Sequence, residues 1–241
     1  MIGARARAAL VLLVGLLAGL TFVVLARGHE PSPAPPAAKR PTLLLLTSLP
    51  LLFSEDFSLV HSGSPALKAL EAHYHVVPIS LADSADLAKA KLLLMAQPRA
   101  QAPQDLVALD AWVRRGGHLV LLADPMLEWP SKLPLGDPAR PPPMFVDTGL
   151  LAHWGLRLDT PEERGPADRE LGGAKILTLS PGALFGDCRI SSDRLVARCR
   201  IGRGQAIVIG DADFLDVPHL GQGASRNLEG LLNELASAES P

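Results

Sequence analysis

The sequence predicts an α/β fold in which a mostly parallel β-sheet is flanked by helices. The runs TLLLLTS at 42–48, LLLMAQ at 92–97 and HLVLLAD at 118–124 are short and almost wholly apolar. Such runs are typical of strands that are buried on both faces, as they are in parallel sheets. Segments with helical spacing separate them, and this β-α-β alternation favours right-handed crossovers between parallel strands.

The first two strands are joined by a helix with a clear start signal. Ser64 and Pro65 suit the N-cap and the first helical position, so we expect a helix over 64–74. The second strand follows at 75–80. It contains Pro78, which has no amide hydrogen for a ladder, so we expect this strand to lie at a sheet edge or to end there.

The clearest helix signal lies at 103–115, between the third and fourth strands. Pro103 suits the first helical position, and Gly116 is placed to take a left-handed conformation after the last turn. The apolar residues recur at helical spacing and form one inward face: Leu106, Leu109 and Val113. A shorter helix is expected within 81–91, ahead of the third strand.

Beyond the fourth strand the pattern is less regular. Residues 125–146 contain seven prolines and no periodicity, which predicts a long surface loop. Residues 160–174 are polar and contain glycine, and no strand or helix is predicted there. The remaining elements are expected to be a short helix stopped at Gly155 and a strand from Leu156 within 150–159, strands at 175–180 and 205–211, and a closing amphipathic helix at 225–237.

The only two cysteines, Cys188 and Cys199, fall opposite each other in a predicted C-terminal β-hairpin. If Asp193 and Arg194 form its two-residue loop, counting outward along both strands pairs the two cysteines. Opposed cysteines on antiparallel strands lie close enough for a disulfide when they occupy a non-hydrogen-bonded pair. The alternative is that both are small apolar residues on one strand face. A further hairpin turn is expected at GRGQ, residues 202–205.

The N-terminal region predicts a membrane anchor followed by a spacer. Residues 8–26 are nineteen positions without a charge, which as a helix span about 30 Å, the thickness of a bilayer's hydrocarbon core. Basic residues within 1–7, the expected cytoplasmic N-terminus, favour an extracytoplasmic remainder. The alternative is a cleaved signal peptide, whose apolar core is usually shorter, at about 7–15 residues. The proline-rich residues 27–41 predict a semi-rigid linker, and residues 42–241 the extracytoplasmic α/β domain.

The charge balance excludes some classes of partner. Five of the 23 basic residues but only one of the 25 acidic residues lie within 1–41, which leaves 18 basic and 24 acidic residues in the remainder. A domain with this balance has no electrostatic basis for binding nucleic acid or anionic lipid. Aromatic residues make up only 4% of the chain, so a base-stacking surface is not expected either.

Ligands of α/β proteins bind at the carboxyl ends of the parallel strands, so the polar residues there form the candidate site. They are Thr47, Ser48, Gln97, Asp124 and Asp211. The sequence has no G-x-S-x-G nucleophile elbow, no cysteine at the end of a strand in the parallel half, and no glycine-rich phosphate loop after a strand. We therefore expect no catalytic residue and no cofactor, and we keep Gln97, Asp124 and Asp211 as ligand or turn positions.

Local turn chemistry offers an explanation for the acidic residues. Asp124 precedes a proline, where its side chain is expected to accept hydrogen bonds from turn amides. Asp211, Asp213 and Asp216 are dense enough to attract a cation, but they lack the glycine and the terminal glutamate of an EF-hand loop. Turn and capping roles are therefore expected for these three carboxylates.

The histidines and cysteines offer too few ligands for a metal. His73 and His75 would alternate onto one strand face, but no third ligand accompanies them. The single cysteine pair lacks the second pair of a structural zinc site. No metal site is expected.

The order of these segments resembles a known family. The features that carry the resemblance are Gln97-Pro98 after the third strand, the helix pattern L-x-x-L-D-A-W-V, Arg115-Gly116-Gly117, Asp124-Pro125, GLLAHWGLRLD at 149–159, GRGQAIVIGDADFLD, and Asn227. Together they resemble the GldG-like auxiliary domain of ABC-type transport systems, over about residues 42–235.

The resemblance implies a flavodoxin- or class I glutamine-amidotransferase-like three-layer sandwich, used without known catalysis. It also implies a membrane anchor and association with the permease and ATPase subunits of an ABC transporter. Our first hypothesis is therefore a non-enzymatic module in the cell membrane, with a single pass, that binds protein or ligand through the 125–146 loop and the strand ends. The second is a periplasmic small-ligand-binding or hydrolytic domain that uses Asp124 and Asp211.

Overall fold

Apolar strands form the centre of the sheet because both of their faces are covered. In the computed structural model, which describes residues 40–53 and 63–239, the middle residues of the first, third and fourth strands are all buried. The expected anchor at 8–26 lies outside the described residues, as does nearly all of the linker at 27–41. Within the described part of the chain, no helix combines the length and the apolar character needed to cross a membrane.

Eleven strands and six α-helices are present in the described residues. The strands are β1 Thr42–Thr47, β2 His75–Pro78, β3 Leu92–Ala96, β4 His118–Leu122, β5 Leu156–Asp159, β6 Pro166–Leu171, β7 Ala174–Leu179, β8 Ala183–Gly186, β9 Arg189–Ile190, β10 Val196–Ile201 and β11 Gly204–Ile209. The helices are α1 Pro65–His73, α2 Ser84–Leu87, α3 Pro103–Arg114, α4 Leu150–His153, α5 Val217–Leu220 and α6 Asn227–Glu239, with 3₁₀ turns at Asp213–Leu215 and Gly221–Ala224.

The main sheet has seven strands in the order β2-β1-β3-β4-β11-β10-β9. Pairing is parallel from β2 through β11 and antiparallel between β11, β10 and β9, which confirms the prediction of a mostly parallel sheet with a C-terminal hairpin. The strand that contains Pro78 lies at the sheet edge, as its missing amide hydrogen predicts. The strand order reverses between β1 and β3, and α/β proteins bind ligands at such a reversal.

Helices cover the two faces of the sheet and complete a three-layer arrangement. One core packs α1 and α6 against the sheet through Leu67, Leu70, Leu231 and Leu235. The opposite core packs α2, α3 and α4 through Leu87, Leu109, Val113, Leu150 and Leu151. Burial of each leucine side chain contributes roughly 1.5–3 kcal/mol, so the two cores supply most of the stabilisation.

Local signals fix where the helices begin and end. The Ser64 hydroxyl accepts the Leu67 amide hydrogen at 3.0 Å and α1 starts at Pro65, so the predicted N-cap is confirmed. Helix α3 ends at Arg114, and Gly116 has a φ of +108°, as expected after its last turn. Of the predicted inward face of α3, Leu109 is fully buried and Leu106 only partly packed.

The stretch at 160–174, which was predicted to be irregular, contains strand β6. This strand pairs with β7 in an antiparallel hairpin from Pro166↔Leu179 to Leu171↔Ala174. The two turn residues, Gly172 and Gly173, both have positive φ, and the pair Gly-Gly is a strong signal for a two-residue hairpin. The prediction was wrong because β6 is half exposed and its sequence is polar, so it lacks the apolar run by which the other strands were predicted. The Gly172-Gly173 turn was the signal in the sequence that could have indicated the hairpin.

A disulfide joins Cys188 to Cys199, with a Cα–Cα distance of 4.8 Å. The partners Ile190↔Ala197 and Arg189↔Arg198 give β9 and β10 the register that was derived from a two-residue loop. The next pair outward from Arg189↔Arg198 in the same register is Cys188 and Cys199, so the two cysteines lie opposite each other. The bond therefore ties the short edge strand β9 and the segment before it to the main sheet.

We expect the double substitution Cys188→Ser with Cys199→Ser to lower the free energy of unfolding by about 2–4 kcal/mol, because the bond restricts the unfolded chain. Urea unfolding followed by circular dichroism measures the change. The reduced wild-type protein should match the double variant, and a reductant should not affect the variant. Equal stability of the oxidised wild type and the variant would contradict the prediction.

Candidate functional site

The polar residues predicted at the strand ends lie along one edge of the main sheet. Thr47 closes β1, where its hydroxyl donates to the Ala96 carbonyl at 2.9 Å and accepts the Leu49 amide hydrogen at 3.0 Å. The hydroxyl of Ser48 donates to the Gln97 carbonyl. Both hydroxyls therefore hold the ends of β1 and β3 together and are occupied by backbone partners.

Gln97 clamps the end of β3 to the end of β4. The side chain is fully buried, and the backbone has a φ of +46°, which is uncommon for a residue with a side chain. Its Oε1 accepts the Asp124 amide hydrogen at 2.9 Å, and its Nε2 donates to the carbonyls of Asp124 and Pro142, both at 3.2 Å. Gln97 thus positions Asp124 and fixes the long loop that follows β4.

Asp124 connects the end of β4 to the turn after β11. Its Oδ1 accepts the Met126 amide hydrogen at 2.8 Å, which is the local turn contact expected from the sequence. Its Oδ2 accepts the Ala212 amide hydrogen at 2.9 Å, across 88 residues of sequence. The contact with Ala212 follows from the parallel pairing of β4 with β11. The residues next to Asp124 in the sequence do not predict it.

Asp211 and Asp213 occupy the turn that follows β11. Asp211 Oδ1 accepts the Phe214 amide hydrogen at 3.0 Å and so caps the 3₁₀ turn at Asp213–Leu215. Asp213 Oδ2 accepts the Glu128 amide hydrogen at 2.8 Å, which ties this turn to the loop after β4. Capping and turn contacts were expected for these residues, but the contact with Glu128 was not.

The three aspartates converge into one buried cluster, which we call the triaspartate cluster: Asp124, Asp211 and Asp213. One carboxylate oxygen from each lies within 4.8 Å of the other two, a spacing that suits the ligands of a single metal ion. The carboxylates of Asp124 and Asp211 have no exposed surface and Asp213 is 2% exposed. Sequence reasoning placed Asp124 and Asp211 together at the strand ends in the second hypothesis, but it did not join Asp213 to them.

Burial raises the pKa of each carboxyl in the cluster, because an ionised carboxylate loses its hydration there. The pKa of Asp124 rises to about 6, and the backbone amides of Ala212 and Met126 limit the rise. The pKa of Asp213 rises to about 8, first through burial and then through repulsion from Asp124. The pKa of Asp211 lies well above its usual value for the same two reasons, with Asp213 as a further source of repulsion.

Asn227 anchors the turn that carries the cluster. This residue is fully buried at the start of α6, where its Nδ2 donates to the carbonyls of Leu177 and Phe214, each at 2.8 Å. Its Oδ1 accepts the Leu177 amide hydrogen at 2.9 Å. The side chain therefore joins α6, β7 and the 3₁₀ turn in one hydrogen-bonded unit.

The other candidate residues lie apart from the cluster. His73 ends α1 and His75 begins β2, so the expectation that they share a strand face was wrong; both are exposed. Asp216 precedes α5, but its side chain makes no capping hydrogen bond, so the capping role expected for this carboxylate was wrong. Only its backbone carbonyl accepts the amide hydrogens of His219 and Leu220. Helix α1 ends at His73, and Tyr74 after it is already extended, so the two histidines lie on different elements.

Residues 40–162, from the residues before β1 to just beyond β5, match the family described as an ABC-type uncharacterized transport system. The chain belongs to this family. The family is an auxiliary component of ABC-type transport systems. Its match includes Gln97 and Asp124 and ends before Asp211 and Asp213. No curated protein sequence matches the chain.

Three solved structures of low sequence identity are similar to this chain over most of its length. The exo-β-1,4-mannosidase Op5Man5 from Opitutaceae bacterium strain TAV5 is similar at a TM-score of 0.50 and 14% identity, over 84% of this chain and 36% of the mannosidase. The β-galactosidase from Rahnella sp. R3 has a TM-score of 0.47 and 12% identity, over 84% and 32% of the two chains. The cytoplasmic protein STM3548 from Salmonella typhimurium has a TM-score of 0.48 and 10% identity, over 81% and 98%.

The likeness to the mannosidase, at a TM-score of 0.50, shows the fold alone. The chain spans about a third of the length of the two glycosidases, at 36% and 32%. At 14% identity or less, the similarity does not extend to the chemistry of a site.

We expect Asn227→Ala to lower the free energy of unfolding by roughly 2–5 kcal/mol, because it leaves three buried backbone groups without partners. Chemical denaturation measures the loss. The matched control is Asn233→Ala in the same helix, where an exposed side chain donates one hydrogen bond to the Gly172 carbonyl at 2.8 Å. The control should lose less than about 1 kcal/mol. Similar losses in both variants would contradict the anchoring role of Asn227.

We also expect the metal-free protein, kept in a chelator, to lose stability as the pH rises from about 7 to about 9. The pKa of Asp213 in the folded state, about 8, is raised above its unfolded value, so its stabilising contribution is present at low pH and is lost as the pH rises through 8. Other acidic side chains repel the ionised form of Asp213 and therefore also make the folded protein less stable as the pH rises. They are Asp124, Asp211, Glu128 and Asp216.

The variant Asp213→Asn isolates this contribution, because it keeps an oxygen for the Glu128 amide and does not ionise. Its free energy of unfolding should fall less steeply over the same pH interval, as measured by urea unfolding at several pH values. Equal slopes for the wild type and the variant would show that Asp213 does not titrate in this interval. His118, whose pKa is lowered by burial, changes stability mainly below about pH 6.5 and lies outside the interval.

Proposed function

We propose that this protein is a non-enzymatic, GldG-like auxiliary module that residues 8–26 anchor in the cell membrane and that presents its α/β domain to an ABC transporter on the extracytoplasmic side. The family match over residues 40–162 is the observation that carries the proposal. The domain acts by binding the permease or another protein of the transport system. It lies at the end of a proline-rich linker that keeps it off the membrane surface.

Two features support an extracytoplasmic position. The disulfide between Cys188 and Cys199 is of a kind that persists in oxidising compartments and is rare in the cytosol. The uncharged segment at 8–26 is long enough to span a bilayer as a helix, and the basic residues before it favour a cytoplasmic N-terminus.

The burial of the carboxylates supports binding over catalysis. Glycoside hydrolysis needs two carboxyl groups that flank a substrate. Asp124 and Asp211 have no exposed surface, and backbone amides already occupy oxygens of both side chains. The alternative function, in which these two residues bind or hydrolyse a small organic ligand, requires an exposed carboxylate surface, and neither side chain has one.

The loop after β4 supplies a docking surface for a protein partner. Three large apolar side chains are exposed at its end and middle: Leu135 at 77%, Met144 at 52% and Val146 at 49%. The loop is held in one shape, because the Leu127 amide donates to the Pro143 carbonyl at 2.9 Å and Gln97 donates to Pro142. A loop that is already ordered loses little conformational entropy when it binds.

We expect the tagged full chain to co-purify with permease and ATPase subunits when membranes are extracted with a mild detergent. The double substitution Leu135→Glu with Met144→Glu should reduce the recovered subunits at least fivefold, because it places charges in the apolar docking surface. Quantitative mass spectrometry of the purified material measures the ratio.

The matched control is Val107→Glu, which places a charge on an apolar side chain that is 70% exposed on α3, outside the loop. This variant should recover the subunits as the wild type does. Purification of the chain without transporter subunits would contradict the proposed partner, and recovery of the intact chain in the soluble fraction would contradict the anchor.

A further inference from the structure

The triaspartate cluster brings three carboxyl groups together, and no basic side chain is named among the charged groups that act on them. The charged side chains that shift its three pKa values are all acidic: the cluster members themselves, Glu128 and Asp216. A buried ionised carboxylate is costly unless a cation or a set of hydrogen bonds compensates it. The amides of Met126, Ala212, Phe214 and Glu128 supply four hydrogen bonds, but they carry no full charge.

An unpaired oxygen points independently to a missing ligand. Asp211 is fully buried, and the Phe214 amide donates to its Oδ1. Its Oδ2 accepts no hydrogen bond of normal geometry, although the Leu179 amide acts on this carboxyl and limits the rise of its pKa. A buried polar atom without a partner costs about 1–3 kcal/mol, and such atoms are rare in folded proteins. The charged groups that act on this carboxylate are Asp124 and Asp213, so the unpaired oxygen belongs to the centre of negative charge.

The spacing of the oxygens fits one ion. Ligand oxygens at 2.3–2.6 Å from a Ca²⁺ ion are separated from each other by at most about 5 Å. The oxygens of the three aspartates lie within 4.8 Å of one another. Donors that are all carboxylate oxygens favour hard cations and disfavour metals that prefer sulfur or imidazole.

We propose that Asp124, Asp211 and Asp213 bind a single hard divalent cation, Ca²⁺ or Mg²⁺, which joins the carboxyl ends of β4 and β11. The ion compensates the buried charge and gives Asp211 Oδ2 a partner. The remaining coordination positions are filled by backbone carbonyls or water, as is usual for these ions. This site has a structural role: it fixes the loop after β4 to the turn after β11, and so it fixes the base of the docking surface.

The test uses the full chain in mild detergent, stripped of metal with a chelator and dialysed at about pH 7.5. Added Ca²⁺ or Mg²⁺ should raise the unfolding temperature, and at about 100 times its dissociation constant the ion should shift the folding equilibrium about 100-fold. Equilibrium dialysis with metal analysis should find one ion per chain. NaCl at matched ionic strength should not reproduce the shift.

Three variants assign the site to its residues. Asp211→Asn and Asp213→Asn should each weaken cation binding at least tenfold, because each removes a negative ligand. Asp137→Asn, in the loop after β4 but outside the cluster and absent from the groups that act on it, should bind as the wild type does. If one cluster variant fails to fold, the other and the wild-type dialysis still decide the question.

Two results would overturn the proposal. The first is a stripped wild-type protein whose unfolding temperature responds to neither Ca²⁺ nor Mg²⁺, since the cluster would then be held by protons alone. The second is a cluster variant that keeps the full cation response. Neither result bears on association with the transporter, which is measured separately.

Discussion

The parallel pairing of β4 with β11 is the constraint on which the rest of the structure depends. These strands are far apart in sequence, yet they align from His118↔Gln205 to Leu122↔Ile209. The pairing continues one residue past β4, where the Ala123 amide donates to the Ile209 carbonyl at 2.8 Å. It attaches the C-terminal hairpin to the parallel sheet and ends both strands at the same edge. Asp124 and Asp211 each follow their strand by two residues, so they must become neighbours.

This arrangement places three buried carboxyl groups close together, and hydrogen bonds from backbone amides stabilise their ionised forms only in part. Each aspartate of the triaspartate cluster accepts at least one amide hydrogen, and these contacts hold the two turns and the loop after β4 in fixed positions. Burial removes the carboxylates from water and raises their pKa values, and the amide contacts limit that rise only in part. The cluster therefore has a defined geometry, but burial and mutual repulsion make ionisation of its three carboxyls unfavourable. A cation resolves that conflict, and protons relieve it at low pH.

The fold by itself says little about the activity of the protein. The chain shares its architecture with part of a mannosidase at a TM-score of 0.50, but it belongs to a family of transport auxiliaries. One α/β framework supports many functions, and the difference lies in its loops and strand ends. Here the strand ends are filled by contacts between Gln97, Asp124 and their neighbours. The surface that we propose for a partner is therefore the loop after β4 with its exposed apolar side chains.

Local chemistry made most of the parallel half of the fold predictable. Strands β1, β3 and β4 were predicted because a strand buried on both faces is a continuous apolar run, and α1 was predicted because Ser64 and Pro65 are start signals. The register of the cysteine hairpin followed from counting residues on either side of a two-residue loop. Strand β6 was missed because its side chains are polar and because it packs against α6, which lies much later in the chain.

The sequence by itself therefore determined the fold class, the start of α1, the start of α3, and the register that places the two cysteines opposite each other, because each depends on residues close together in the chain. It left open whether the cysteines are bonded. It also marked Gln97, Asp124 and Asp211 as residues at strand ends. Only the tertiary structure decided that Asp124 meets Asp211 and Asp213 and that Glu128 contacts Asp213. Those contacts depend on which strands become neighbours in the sheet, and that choice is made by the packing of the whole domain.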